Sequence, residues 1–224
     1  MNHFKTCLIG IAVILAFVTG RPAAANDDWR PVLDLRGDWK FETGDDPKRA
    51  EVSFDDSKWK EIFVPSKWEF EGYPHYDGYA WYRTHFKLSE GVAKKPLYLR
   101  LGRIDDVAEV FLNGTLIGVS GSFPPDYLSR YNGEINLPVP QNLLNASGDN
   151  VIAVRVYDDE GEGGIVDGRV GLFVSKRYQT PDLDLQGMWK FTDGDSEKWR
   201  DPSFDDSKWK NAFVPAGGKD VMIR

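Results

Sequence analysis

The chain is built from short runs in which apolar and polar residues alternate. From Leu97 to Leu101, Leu97, Leu99 and Leu101 fall on one side while Tyr98 and Arg100 fall on the other, the period of two expected of a half-buried strand. Tyr79 to Leu88, Val107 to Leu112, Leu116 to Val119, Gly133 to Val139, Val151 to Tyr157 and Gly171 to Val174 are further strand candidates. Asn113-Gly114 sits between two of them, the strongest short-range signal for a hairpin. Trp68 to Gly78 is rich in Gly, Pro and Tyr and reads as a loop, and Asn142 to Gly148 reads as a turn or helical cap. No stretch carries a sustained helical period. Short strands separated by turn signals predict an all-β fold, a two-sheet antiparallel β-sandwich.

Within the strand candidate that contains AWYRTHF, Trp81, Arg83 and His85 share one face and Tyr82, Thr84 and Phe86 the other. Tyr82 and Phe86 are the expected inward pair. Arg83 is expected to meet an acidic loop residue, Asp105 or Asp106. In FDDSKWK, Asp55, Asp56 and Ser57 can bond local amides and start a turn that lets Trp59 drop into the core. Trp39, Trp59 and Trp81 are core candidates, because large aromatic side chains dominate small cores.

A second pattern has a much longer period. Leu33 to Pro65 and Leu183 to Pro215 align without gaps at an offset of 150 residues, with 21 of 33 positions identical. An offset of that size indicates a duplicated domain rather than a solenoid unit. The second copy continues for only nine residues after Pro215. The expected layout is therefore a complete domain at 26–178 and an incomplete second repeat at 179–224, in a chain expected to be part of a longer protein. Ahead of both lies a targeting signature: Lys5, an apolar run from Cys7 to Val18, and Ala23-Ala24-Ala25. It predicts a signal peptide at 1–25 and export to a periplasmic or extracellular location. The apolar run is short for a bilayer span, and nothing later in the sequence resembles one, so no membrane span is expected in the mature chain. Cys7 is the only cysteine. The mature chain then has no disulfide, no thiolate zinc site and no thiol nucleophile.

Composition narrows the partners. Aromatic residues make up 13% of the chain, with 8 Trp, enough to build a core without cross-links. The net charge of −7 lacks the basic face that a nucleic acid requires.

The segments LDLRGDWKF, FDDSKWKEIFVPSKWEFEG, DGYAWYRTHF, LRLGRIDDVAEVFLNGTLIG and NVIAVRVYDDEGEGGI follow one another in order. That series resembles the galactose-binding-like jelly-roll, a sugar-binding domain, of family 2 glycoside hydrolases, the β-galactosidase and β-glucuronidase group. It is similar also to the jelly-roll of sialate O-acetylesterases and to sensor modules of some bacterial signalling proteins. The resemblance covers Leu33 to about Val174. It implies that both catalytic glutamates lie on a separate barrel domain, or, in the esterases, that the nucleophilic serine lies on an α/β domain. The sequence has no G-x-S-x-G elbow. Fold does not settle activity, because one module serves several parents.

Sugars are bound by carboxylates, amides and guanidinium groups together with an aromatic face. The candidates for ligand binding are Asp77, Tyr79, Trp81, Asp105, Asp158, Asp159 and Glu160. Tyr73, Tyr76 and Tyr127 lie in loops, where an exposed aromatic residue points to contact with something. The acidic run offers three open readings: direct ligand contact, calcium at Asp158, Asp159, Glu160 and Glu162, or a plain solvated loop. No catalytic residue and no cofactor other than calcium is expected. The sequence thus reads as a non-catalytic carbohydrate-binding or accessory domain of an exported glycoside hydrolase. Its expected partners are a galactoside or glucuronide and a catalytic domain. The alternatives are an extracytoplasmic ligand-sensing module joined to a signalling domain, or a structural spacer.

Overall fold

The structure is a computed structural model that describes residues 28–176, 185 and 187–214. The signal-peptide segment and Cys7 lie outside the described residues. Among the described residues no helix is long and apolar enough to cross a membrane.

Ten strands form two antiparallel sheets. They are β1 (Trp29–Asp34), β2 (Gly37–Thr43), β3 (Lys60–Val64), β4 (Gly78–Lys87), β5 (Leu97–Asp105), β6 (Val107–Leu112), β7 (Thr115–Ser120), β8 (Glu134–Pro138), β9 (Asp149–Asp158) and β10 (Gly164–Ser175). One sheet has the order β1-β10-β5-β8 and the other β3-β2-β4-β9-β6-β7. The two-sheet antiparallel sandwich predicted from the alternation is the observed fold. The hairpin prediction is met in detail: Asn113 and Gly114 both take positive φ, 48° and 80°, between the paired residues Leu112 and Thr115. Two consecutive residues of positive φ suit the right-handed twist of the flanking strands.

The main core lies between the sheets. Leu97, Leu99, Leu101 and Ile104 from β5 meet Phe41, Tyr82, Val154 and Val156 from β2, β4 and β9. Tyr82 and Phe86 point inward as expected, and Trp39 is buried beside them. Trp59 and Trp81 are also buried, but in a second, smaller core on the outer side of the six-stranded sheet, with Ala50, Ala153, Phe54 and Phe111 around them. Both faces of β4 are therefore buried, which explains why this strand reads as an almost continuous apolar run.

The segment between β2 and β3 covers that outer face, and its turn is built as FDDSKWK suggests. Asp55 accepts a hydrogen bond from the Ser57 amide at 3.0 Å, and the Trp59 amide donates to the Asp56 carbonyl at 3.0 Å. Here the structure corrects the expected partner of Arg83. Arg83 is fully buried and donates from Nε to Asp56 Oδ2 at 2.7 Å, with further bonds to the carbonyls of Arg49 and Glu51. Asp105 and Asp106 lie instead toward the Gly78 end of β4, where the Asp106 amide donates to the Tyr157 carbonyl and Tyr157 pairs with Tyr79. The β2–β3 segment folds back over the strand, a tertiary choice that alternation cannot reveal.

A further hairpin, β11 (Gly187–Phe191) with β12 (Lys210–Val214), follows the sandwich. Gly187 pairs with Val214 and Phe191 with Lys210, the same register as Gly37 with Val64 and Phe41 with Lys60. Local contacts repeat as well: the Trp189 indole donates to the Leu185 carbonyl at 2.8 Å, as Trp39 does to Leu35 at 2.7 Å. Trp39 is 1% exposed and Trp189 47%.

Candidate functional site

The loops at one end of the sandwich collect most of the candidate residues. β5 ends at Asp105, and Asp106 carries the chain across to β6 in the opposite sheet. β9 ends at Asp158, which pairs with Gly78 at the start of β4. Asp105 itself pairs with Gly164 at the start of β10. Two crossovers between the sheets therefore meet here, bringing together aspartates that lie far apart in sequence.

Asp106 is buried and firmly oriented. Its Oδ2 accepts from the Tyr127 hydroxyl at 2.7 Å and from the Asp159 amide at 3.1 Å, and its Oδ1 accepts from the Ser129 hydroxyl. Burial opposes its ionisation, but these donors outweigh that cost and hold the carboxyl below the usual range. Asp158 is the opposite case. It is fully buried, and neither carboxylate oxygen has a hydrogen-bond partner. Burial, reinforced by the charges of Asp106, Asp105, Asp77 and Glu69, pushes its pKa up to about 8. Burial and the neighbouring Asp106 likewise raise Asp105 to about 7. One oxygen from each of Asp105, Asp106 and Asp158 lies within 4.8 Å of the others.

The loop after β9 is pinned against the one-turn helix Trp68–Glu71. The Trp68 amide donates to the Gly163 carbonyl at 3.1 Å, the Gly163 amide donates to Glu69 at 3.2 Å, and Lys67 pairs with Glu162. Gly163 lies so close to Trp68 that a Cβ there would fall 1.8 Å from the indole ring.

Beside the acids runs an aromatic rim. Tyr79 and Phe123 lie nearly parallel with centroids 5.8 Å apart. The Arg155 guanidinium sits 4.9 Å from the first ring and 4.3 Å from the second. Arg155 is itself held by Asp45 at 2.8 Å and Glu109 at 3.1 Å. Tyr157 packs against both Tyr79 and Tyr127 and donates its hydroxyl to Asp159 at 3.0 Å.

The predicted residues thus divide. Asp77, Asp159 and Glu160 are exposed at this end and Tyr79 is half-buried, whereas Asp105 and Asp158 lie deeper. Trp81 is a correction: it has no exposed surface, and its indole donates to Asp45 at 3.1 Å, so it offers a ligand no face. Tyr73 and Tyr76 are also corrected. Both pack edge-on against the core, on Phe41 and Trp68, and Tyr76 donates its hydroxyl to the Tyr79 carbonyl at 2.6 Å. Tyr127 is bound inward to Asp106. Of the acids named for calcium, the structure places Asp158 with Asp105 and Asp106, while Asp159, Glu160 and Glu162 are exposed on the loop. Sequence reasoning passed over Asp106 as a site residue and did not single out Phe123, Arg155 or Tyr157. The adjacency of Asp105 and Asp106 at a strand end was the one available signal.

The fold is a two-sheet antiparallel β-sandwich with an acidic and aromatic end. Residues 53–162 match the family described as Beta-galactosidase second all-beta domain. A putative beta-glucuronidase of Formosa agariphila is 31% identical over 137 residues, 55% of this chain and 12% of that protein. Beta-galactosidase BoGH2A of Bacteroides ovatus is 28% identical over 139 residues, 57% of this chain and 15% of that protein. Among solved structures, a Bacteroides uniformis beta-glucuronidase superposes with a TM-score of 0.51 at 26% identity, over 65% of this chain and 17% of that one. The resemblance read from the motifs therefore holds: the sandwich is similar to domains of the β-galactosidase and β-glucuronidase group of family 2 glycoside hydrolases. The chain corresponds to a small part of the length of these relatives.

Proposed function

We propose that this chain is a non-catalytic accessory module of an exported glycoside hydrolase of that group. In this reading it works beside a catalytic domain and presents the rim of Tyr79, Tyr157, Asp159, Asp77 and Glu160 to a galactoside or glucuronide. Residues 1–25 direct export, and the β11–β12 hairpin opens a second jelly-roll. The observation that carries the reading is the match to the second all-beta domain of β-galactosidases over 53–162, together with relatives named for hydrolysis of these sugars. Burial argues against Asp158 as a general acid: its pKa is raised, yet it has no exposed surface, and a proton donor must reach the bond it cleaves.

The test uses the full chain with nitrophenyl β-galactoside and β-glucuronide. No nitrophenol release above buffer is expected. Titration with galactose or glucuronate is expected to shift rim resonances, with a Kd on the order of 0.1–1 mM for so shallow a surface. Turnover that disappears when Asp105 or Asp158 is changed would overturn the non-catalytic reading. Absence of any shift would leave the spacer role in place of the binding one.

A further inference from the structure

The geometry points to a divalent-cation site of the calcium type at the sandwich end, with Asp105, Asp106 and Asp158 as its protein ligands. Three carboxylates offer oxygens within 4.8 Å of one another, and two oxygens on opposite sides of one calcium ion are separated by about 4.6–5.2 Å. Proximity of acids alone would mean little. The independent observation is Asp158, fully buried with both carboxylate oxygens accepting no hydrogen bond, whereas Trp68, Glu69 and Arg83 each leave a single buried side-chain atom unpaired. A buried carboxylate without a partner is costly, and the carboxylates of Asp105 and Asp106 gathered beside it worsen its position. Arg103 does not relieve the cluster: it stands 3.6 Å from Asp105 and is committed at 2.8 Å to Asp167 on the outer side. A dication among the three acids would give Asp158 the partner it lacks.

Asp106 is set up as a ligand should be. Tyr127, Ser129 and the Asp159 amide fix its orientation, the kind of supporting hydrogen bonding that holds metal ligands in place. An all-oxygen donor set disfavours zinc, which prefers nitrogen and sulfur. A chain whose carboxylates can bind through one or both oxygens favours calcium over magnesium, which demands strict octahedral geometry and gives up water reluctantly. The ion would tie the β5–β6 crossover to the end of β9, joining the two sheets. This site does not depend on the carbohydrate reading, since a chain that binds no sugar can still take up the ion.

The experiment uses the full chain stripped with EGTA and titrated with calcium chloride, followed by calorimetry and thermal unfolding. One saturable site per chain is expected, with a Kd on the order of 0.1–1 mM. At about 10 mM calcium the unfolding midpoint should rise by about 3–10 °C, and equimolar magnesium should give a smaller rise. Asp158→Asn should weaken binding at least tenfold and yet melt no lower than the parent in EGTA, because it replaces a buried carboxyl that the stripped protein leaves without a hydrogen-bond partner. Glu160→Gln and Glu162→Gln should bind within about twofold of the parent, since rim charges act only through screened solvent. Equal midpoints with and without calcium and no binding heat would overturn the site, leaving Asp105 and Asp158 to share protons instead. Loss of binding in the Glu160 or Glu162 variants with retention in Asp158→Asn would overturn it as well, by moving the ion to the outer loop.

Discussion

Asp56 shows how one residue can matter very differently in two copies of a motif. Its carboxylate, 12% exposed, pairs with the fully buried Arg83 at 2.7 Å and lies 2.9 Å from His85 Nε2. Removing one member of a buried ion pair leaves the other uncompensated, so Asp56→Ala should cost about 3–5 kcal/mol in urea unfolding. The residue 150 positions later, Asp206, occupies the same turn but is exposed, and no described strand supplies it with an arginine. Asp206→Ala should cost no more than about 0.5 kcal/mol. Equal costs would show that the turn, rather than the ion pair, sets the requirement for the acid. Acid should act through Asp56 as well. Burial alone would raise its pKa, but the bonds to His85 and Arg83 outweigh it and hold the carboxyl below its ordinary value. A depressed folded-state pKa contributes stability that is fully present above the unfolded value and lost as pH falls through the folded one. Unfolding followed below about pH 4 should therefore show a steeper loss of stability in the parent than in Asp56→Asn, which starts lower and has no such group to protonate.

Among the elements, the strands with regular alternation were the legible ones, and those whose faces depend on distant segments were not. β5 shows its period in Leu97, Leu99 and Leu101, and the β6–β7 turn shows itself in Asn113-Gly114, because both signals are local. β10 begins at Gly164, well before the Gly171 at which the alternation becomes visible, because its pairing with β5 shifts register twice, between Ile165 and Val170. The inner face of β4 is legible, and so is the burial of Trp81 on its outer face, but the partner of Arg83 is not. Nothing near Arg83 in sequence announces that residues 46–59 return to cover it, so its partner was sought among the wrong acids. The candidate site was legible in the same partial way. Asp105 and Asp158 could be named from their places at strand ends, whereas their meeting depends on two crossovers at one end of the sandwich. The helix Trp68–Glu71 gives a sharper test of that end. Gly163 supports it by lacking a side chain, since a Cβ would lie 1.8 Å from the Trp68 ring and Trp68 is fully buried. Gly163→Ala should therefore destabilise by about 1–3 kcal/mol or more, as overpacking does, while Gly161→Ala, where a Cβ meets nothing within 4 Å but φ is +96°, pays only the backbone strain of about 1–2 kcal/mol. The two can be told apart by near-ultraviolet circular dichroism, because only the first displaces a buried indole.

At the scale of the whole molecule, two segments of nearly the same sequence sit in opposite environments. Residues 37–64 and 187–214 form hairpins of identical register, yet the first is covered by β4, through Phe41 with Tyr82 and Lys40 with Arg83. No described strand pairs with β11 other than β12. Three apolar residues of this hairpin are left in solvent, Met188 57%, Trp189 47% and Val214 37% exposed. A two-stranded hairpin is at best marginally stable alone, and amide exchange reports how far each segment must open. Exchange should therefore be slow for Trp39, Phe41, Ile62 and Val64, close to the rate set by global unfolding, and faster by several orders of magnitude for Trp189, Phe191, Ala212 and Val214. Because turn chemistry and strand register are shared, the difference measures what the third strand contributes. If the two hairpins exchanged at similar rates in a monomeric sample, the local sequence would be sufficient for the fold of this segment, and the covering strand would be dispensable in the first copy too.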